Sequence, residues 1–177
     1  MSDLRILKTK KYIEEAFLTL RQNCELDKIK VNDLCKLALI NKTTFYNYYE
    51  NIYDLSEELE NKYLEKCFYG FDGYDCLITD TEKFILGVYK SFVENQNIQI
   101  IFKNRVGSLV KKAEQKVLEL YKKDISSEEI KMRIMFLIHG AFYLLFSYNA
   151  KNNEEEKLKI IIEYAKIVWN KNKQNSI

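Results

Sequence analysis

Along the first sixty residues the apolar positions recur at helical spacing. Ile13, Ala16, Phe17 and Leu20 fall at i, i+3, i+4 and i+7, one apolar face of a helix over residues 5 to 22. After the polar turn "NCELDKIK", Leu34 and Leu37, and then Phe45 and Tyr49, predict two short helices at residues 31 to 38 and 42 to 48. Asn41 between them suits an N-cap, since its side-chain oxygen can accept from the backbone N–H of Thr43 or Thr44. Leu55, Leu59, Tyr63 and Cys67 repeat every fourth residue and predict a longer helix over residues 53 to 69, which stops at "GFDGYDC". Further helices are predicted over residues 79 to 95, 97 to 104, 105 to 123, 126 to 149 and 153 to 172.

Ser126 and Glu129 have the spacing of a capping box. The helix they open, "IKMRIMFLIHGAFYLLFSY", is apolar nearly all round, as for a helix central in a core or shared with a partner. The last helix carries Leu158, Ile161, Ile162, Ala165, Val168 and Trp169 on one broad face. The fold class is therefore all-α, with about nine helices. Composition agrees, because the chain has no proline and only five glycines.

No apolar run approaches the roughly eighteen residues of a membrane span, and the first residues lack a secretory pattern. The expectation is a soluble, cytoplasmic protein with no membrane partner. Cys24, Cys35, Cys67 and Cys76 are widely spaced, and the single histidine, His139, is far from all of them. Neither a metal site nor a disulfide framework is expected. With no acid–base pair, no nucleophile beside a histidine and no Gly-rich phosphate loop, neither catalysis nor a cofactor is expected. The net charge of +2 gives little global attraction to nucleic acid, although Arg5, Lys8, Lys10 and Lys11 face only Asp3 in a basic first dozen residues.

Two short helices joined by a tight turn, with one helix before and one after, outline a helix-turn-helix unit, whose second short helix would enter the major groove of DNA. Under that outline Phe45 and Tyr49 face inward with Leu34 and Leu55, whereas Lys42, Thr43, Tyr46 and Asn47 face out. From periodicity alone, an ordinary solvated helix face explains the outer residues equally well. The order of residues is more specific. "KIKVNDLCKLALINKTTFYNYYENIYDL" resembles the DNA-binding signature of the TetR family of bacterial transcription regulators, with its Thr-Val-x-Asp-Ile helix start, Ala-Gly-Val turn and Thr-Phe/Leu-Tyr-x-His-Phe recognition helix. The resemblance covers residues 9 to 60 and includes "YIEEAFLTL", similar to the family's first helix.

The resemblance implies a helix-turn-helix domain over residues 1 to 50, joined through a fourth helix to a helical effector-binding and dimerisation domain over residues 51 to 177. It implies base contacts from Lys42, Thr43 and Tyr46 and phosphate contacts from Thr44, Asn47 and Tyr48, with Val31 and Asn32 contributing at the start of the preceding helix. Three departures stand out. Lys30 replaces the usual capping Thr, so that the cap passes to another residue such as Asn32 and Lys30 is free to hold a phosphate. Leu39 replaces the usual turn Gly, which is costly if φ there is positive. Ile52 replaces the Lys that opens the fourth helix and removes a phosphate contact.

By the same resemblance, helices 126–149 and 153–172 would pair with those of a second subunit, giving a homodimer on a palindromic double-stranded DNA operator, most simply as a repressor. Broad apolar faces and the Gly140-Ala141 step suit such pairing. A small-molecule effector, of no assigned class, would lie among aromatics drawn from Phe68, Tyr89, Phe92, Phe102, Phe136, Phe142, Tyr143 and Phe146, with His139 beside them. The alternative is a co-regulator that acts through a protein partner without gripping an operator alone.

Overall fold

The structure, a computed structural model, describes residues 2–70, 72–74, 76–123, 127–147 and 154–170. Among them are nine α-helices and no strand. They are α1 (Ser2–Asn23), α2 (Val31–Leu37), α3 (Lys42–Tyr46), α4 (Ile52–Tyr69), α5 (Thr81–Glu94), α6 (Gln96–Ile101), α7 (Val106–Leu120), α8 (Glu128–Phe142) and α9 (Glu154–Asn170). No helix among the described residues is long and apolar enough to cross a membrane.

The chain forms two compact units. The first comprises Met1–Tyr63 together with Gln96–Asn104, and the second Leu64–Asn95 with Arg105–Ile177. In the first unit α1 packs on α2 and on α6, and α2 on α3. Its core is built from Ile13, Phe17, Leu34, Phe45, Leu55, Leu59, Ile98 and Ile101, all nearly or wholly removed from solvent. The predicted stripe of α1 is thus the buried one, except that Leu20 is only half-buried. The α4 ladder of Leu55, Leu59, Tyr63 and Cys67 is buried throughout.

One core member of the first unit is charged. Arg21, near the end of α1, is fully buried, and its guanidinium donates to the carbonyl of Cys24 at 2.8 Å and to that of Lys103 just beyond α6. Lys103 returns a bond from Nζ to the Gln22 carbonyl at 2.8 Å, and Asn104 reaches Glu25 at 2.7 Å. These bonds fasten the end of α6 to the end of α1 and satisfy carbonyls that a helix terminus otherwise leaves open.

In the second unit α7 packs on α8, and α9 on both α5 and α8. Phe68, Phe84, Phe92, Leu109, Ala113, Val117, Ile134, Phe142, Ile161 and Ala165 form the core. Asp80 caps α5 by accepting from Lys83 N at 3.1 Å. Ser127 caps α8, accepting from Ile130 N at 3.3 Å; Ser126, the predicted cap, lies outside the described residues. Instead of running regularly to its predicted end, α8 widens into a π-helical turn over Tyr143–Ser147.

The turn between α2 and α3 answers the question raised by Leu39, whose φ is +54°. Ile40 N–H donates to the Cys35 carbonyl at 3.0 Å and Leu39 N–H to that of Lys36 at 3.3 Å, the paired bonds of a Schellman C-cap. The motif places the residue after the cap in the left-handed region, where glycine is at ease and a leucine is strained. Replacing Leu39 by Gly relieves about 1–2 kcal/mol of strain and gives back about 0.5–1 kcal/mol to the freer unfolded chain. The expected net effect of Leu39→Gly is a gain of about 0.5–1 kcal/mol, read as a rise in the urea midpoint at unchanged slope.

Candidate nucleic-acid interface

The outer surface of the first unit around α3 follows from how that helix is held. Asn41 has extended backbone angles, and its Oδ1 accepts from Thr44 N at 2.7 Å, the cap predicted from the sequence. The same oxygen accepts from Thr44 Oγ1 at 2.9 Å. The hydroxyl proton of Thr44 is therefore committed within the turn, and its oxygen retains only acceptor capacity. Phe45 is fully buried and Tyr49 nearly so, their ring centres 5.6 Å apart. With those two fixed inside, helix geometry turns Lys42, Thr43, Tyr46 and Asn47 to solvent, and all four are exposed.

Tyr46 is 54% exposed, its ring edge-on to Phe45 with centroids 5.5 Å apart. The underlying aromatic gives it a firm base and leaves its hydroxyl outward. Tyr48 is half-buried against Tyr49. Asn32 is exposed and Val31 half-buried at the start of α2. Lys30, also exposed, is the N-cap residue of α2 and makes no side-chain cap bond, so the cap does not pass to Asn32, which lies within the helix. Leu37, predicted to share the apolar face with Leu34, is half-exposed, because α2 is short and only Leu34, Cys35 and the capping Ala38 turn inward.

Beneath this surface, polar contacts join α1 to α4. The Tyr49 hydroxyl donates to Glu58 at 2.9 Å, and Lys10 bonds the other Glu58 oxygen at 2.7 Å while lying 5.3 Å from the Tyr49 ring centre. The Tyr63 hydroxyl donates to Glu14 at 2.6 Å, and Asn97 of α6 donates to the Tyr63 oxygen at 2.9 Å. Burial, then the bond to Glu58, pushes the Tyr49 hydroxyl well above its ordinary range; burial, then Glu14, raises Tyr63 to about 12. Both stay neutral donors at any physiological pH. Burial likewise raises the Cys35 thiol, with the charge of Lys42 opposing, so Cys35 is a core thiol and not a nucleophile.

The basic first dozen residues are not an extended arm, since α1 begins at Ser2. Lys10 pairs with Glu58 and Lys11 with Glu15 at 3.7 Å, while Arg5 and Lys8 are exposed. Ile52 is buried at the start of α4, where Asn51 accepts from Tyr53 N at 2.8 Å and Asp54 N at 3.0 Å. It packs inward and offers nothing to a phosphate.

The second unit contains a cavity of about 90 Å³. Of the residues expected to surround an effector, Phe68, Tyr89, Phe92 and Phe142 line it. Phe102 does not, because it is buried in the first unit. Nor do His139 and Tyr143: one turn apart on α8, they share an exposed face with Met132 and Phe136, away from the cavity residues Ile134, Ile138 and Ala141. His139 is not a core residue; its Nε2 meets the Glu114 carboxylate at 2.9 Å with the ring more than half exposed. The side chain of Phe146 lies outside the described residues. Among the described residues no cluster of His, Cys, Asp or Glu could hold a metal ion.

No family model matches the chain, and no curated protein matches its sequence.

Proposed function

We propose that the chain is a transcription regulator of the TetR type, which grips DNA as a homodimer and responds to a small molecule in its second unit. The observation that supports this most is the geometry at residues 31–49. A short helix, a Schellman turn and a capped second helix present Lys42, Thr43, Tyr46 and Asn47 outward over a buried Phe45 and Tyr49. Lysine, hydroxyl and amide groups in that order can donate to phosphates, and Asn47 can pair with an adenine edge. Lys30 and Asn32 extend the polar surface to the start of α2. The expected operator is palindromic, the expected action repression, and the expected compartment the cytoplasm.

Dimerisation is supported by uncovered apolar surface on α8 and α9. Met132, Phe136 and Tyr143 are 60%, 68% and 59% exposed, spaced four and seven residues apart on one side of α8. Ile160, Tyr164 and Ile167 form a matching line on α9, and Gly140 has open space where a Cβ would stand. Contiguous apolar surface of this kind marks an interaction site. Burying Phe136 across a two-fold axis removes both copies from water, about 1.5–3 kcal/mol each.

A charge placed there is the test. Phe136→Glu is expected to sediment as a monomer with unchanged helical content, and to lose at least about tenfold in affinity for a two-half-site duplex. A variant that stays dimeric, or a wild-type protein that is monomeric at all concentrations, overturns this arrangement. The second reading, a co-regulator acting through a protein, is favoured by Leu37 and Leu39, 51% and 92% exposed beside α3, and by Ile52 withdrawn into the core.

A further inference from the structure

The cavity of the second unit carries an inference about its occupant, which rests on reading that unit as the effector-binding part. Seventeen residues line it, and only two carry a polar side-chain atom, Thr81 and Tyr89. The Thr81 hydroxyl donates to the Leu77 carbonyl at 2.7 Å one turn back along its own helix start. The Tyr89 hydroxyl donates to Glu154 of α9, a bond that with partial burial raises it to about 12. Neither proton is available to a guest, and no charged residue is part of the wall.

The deep side, made by Phe68, Val117, Ile134 and Ile161, is buried, whereas Ile85 and Val88 of α5 and Leu137 and Ile138 of α8 are half-buried. The opening therefore runs between α5 and α8 and is apolar as well. At the far end of α8 the π-helical turn contributes Leu145 to the wall. Such widened turns are rare and occur often at functional sites.

From this we propose that the cavity takes an uncharged, compact hydrocarbon-like guest, a small ring or short alkyl group, bound without a hydrogen-bond anchor. A charged group here would lose its hydration with nothing to replace it. Apolar cavities stay dry and accept such guests; one of roughly 150 Å³ holds benzene. At about 90 Å³ this one fits a guest of that size only as the half-buried rim residues turn aside, which excludes large ligands from the closed form.

The test is methyl NMR of the 177-residue chain labelled at isoleucine, titrated with benzene and separately with benzoate and benzylammonium. The Ile134 and Ile161 methyls are expected to shift saturably with benzene, and with the two ions only at concentrations at least about a hundredfold higher. Thr81→Val, which removes a hydroxyl without changing the shape of the wall, is expected to leave benzene affinity within about twofold. Val88→Phe, at the half-buried rim, is expected to weaken it at least about tenfold. The inference is overturned if benzene moves neither methyl saturably, if either ion binds as tightly, or if Thr81→Val abolishes binding. Because the readout uses no DNA, its failure leaves the proposed DNA contacts standing; benzene binding by a chain that selects no DNA supports the cavity and sinks the regulator.

Discussion

Arg21→Met is expected to destabilise the protein by about 3 kcal/mol, the largest single effect on stability foreseen from the fold. The arginine is wholly buried, and its guanidinium satisfies the carbonyls of Cys24 and Lys103. Methionine keeps most of the volume, so packing loss is minor. What remains is two carbonyls stripped of their donors, each costing about 1–3 kcal/mol when left unsatisfied away from water. The Glu25 carboxylate, 3.8 Å from the guanidinium, is half exposed and contributes little. Against a total stability of about 5–15 kcal/mol the loss is large. Urea denaturation measures it, and hydrogen exchange locates it: amides of α6 should exchange faster than those of α3, since Lys103 closes the α6 end. A loss under about 1 kcal/mol would mean that water replaces the guanidinium.

Tyr46→Ala is expected to abolish specific DNA binding while leaving the fold intact. The side chain is 54% exposed, and the buried anchors of α3 are its neighbours Phe45 and Tyr49. Truncating it should alter stability by no more than about 0.5 kcal/mol, the usual range for surface sites. A contact at a base edge is worth about 1–3 kcal/mol per head. Two heads at about 2 kcal/mol each give about 4 kcal/mol, close to a thousandfold in affinity. The salt dependence should change little if Tyr46 reads a base, whereas Lys42→Ala should flatten it by close to one unit of slope per phosphate lost. Those two signatures separate the roles of adjacent residues on one short helix.

The features that sequence made legible are local ones. The α1 stripe, the four-residue ladder of α4, the Asn41 cap and the inward Phe45 and Tyr49 depend on side chains within a turn or two of each other, and periodicity reports that scale. Features fixed by distant contacts were not legible. Chain order assigns α6 to the tail, yet Ile98 and Ile101 are buried in the first unit, where Arg21 holds the Lys103 carbonyl across 82 positions. No spacing rule announces such a pairing; the one hint was an arginine at the end of an otherwise polar-and-apolar patterned helix.

At other positions the sequence posed a question that only backbone angles answer. Leu39 stood out as a departure, but whether it was strained depended on the sign of φ, set by the Schellman bonds to Cys35 and Lys36. His139 was placed with the cavity because its helix is apolar on every side. An all-round apolar helix carries no direction, and the ring in fact faces Glu114 at the surface. The same lack of direction concealed which face of α8 was left uncovered, the face bearing Met132, Phe136 and Tyr143.

The most direct measurement is enrichment of duplex DNA from a random pool by the purified protein at low salt, run in parallel with Tyr46→Ala. The expected result is a palindrome whose half-sites lie about 34–36 Å apart, one helical turn, enriched by the wild type and not by the variant. A wild-type pool that stays random contradicts DNA recognition by this chain alone and turns attention to a protein partner. A palindrome enriched equally by Tyr46→Ala contradicts the assignment of α3 as the reading helix.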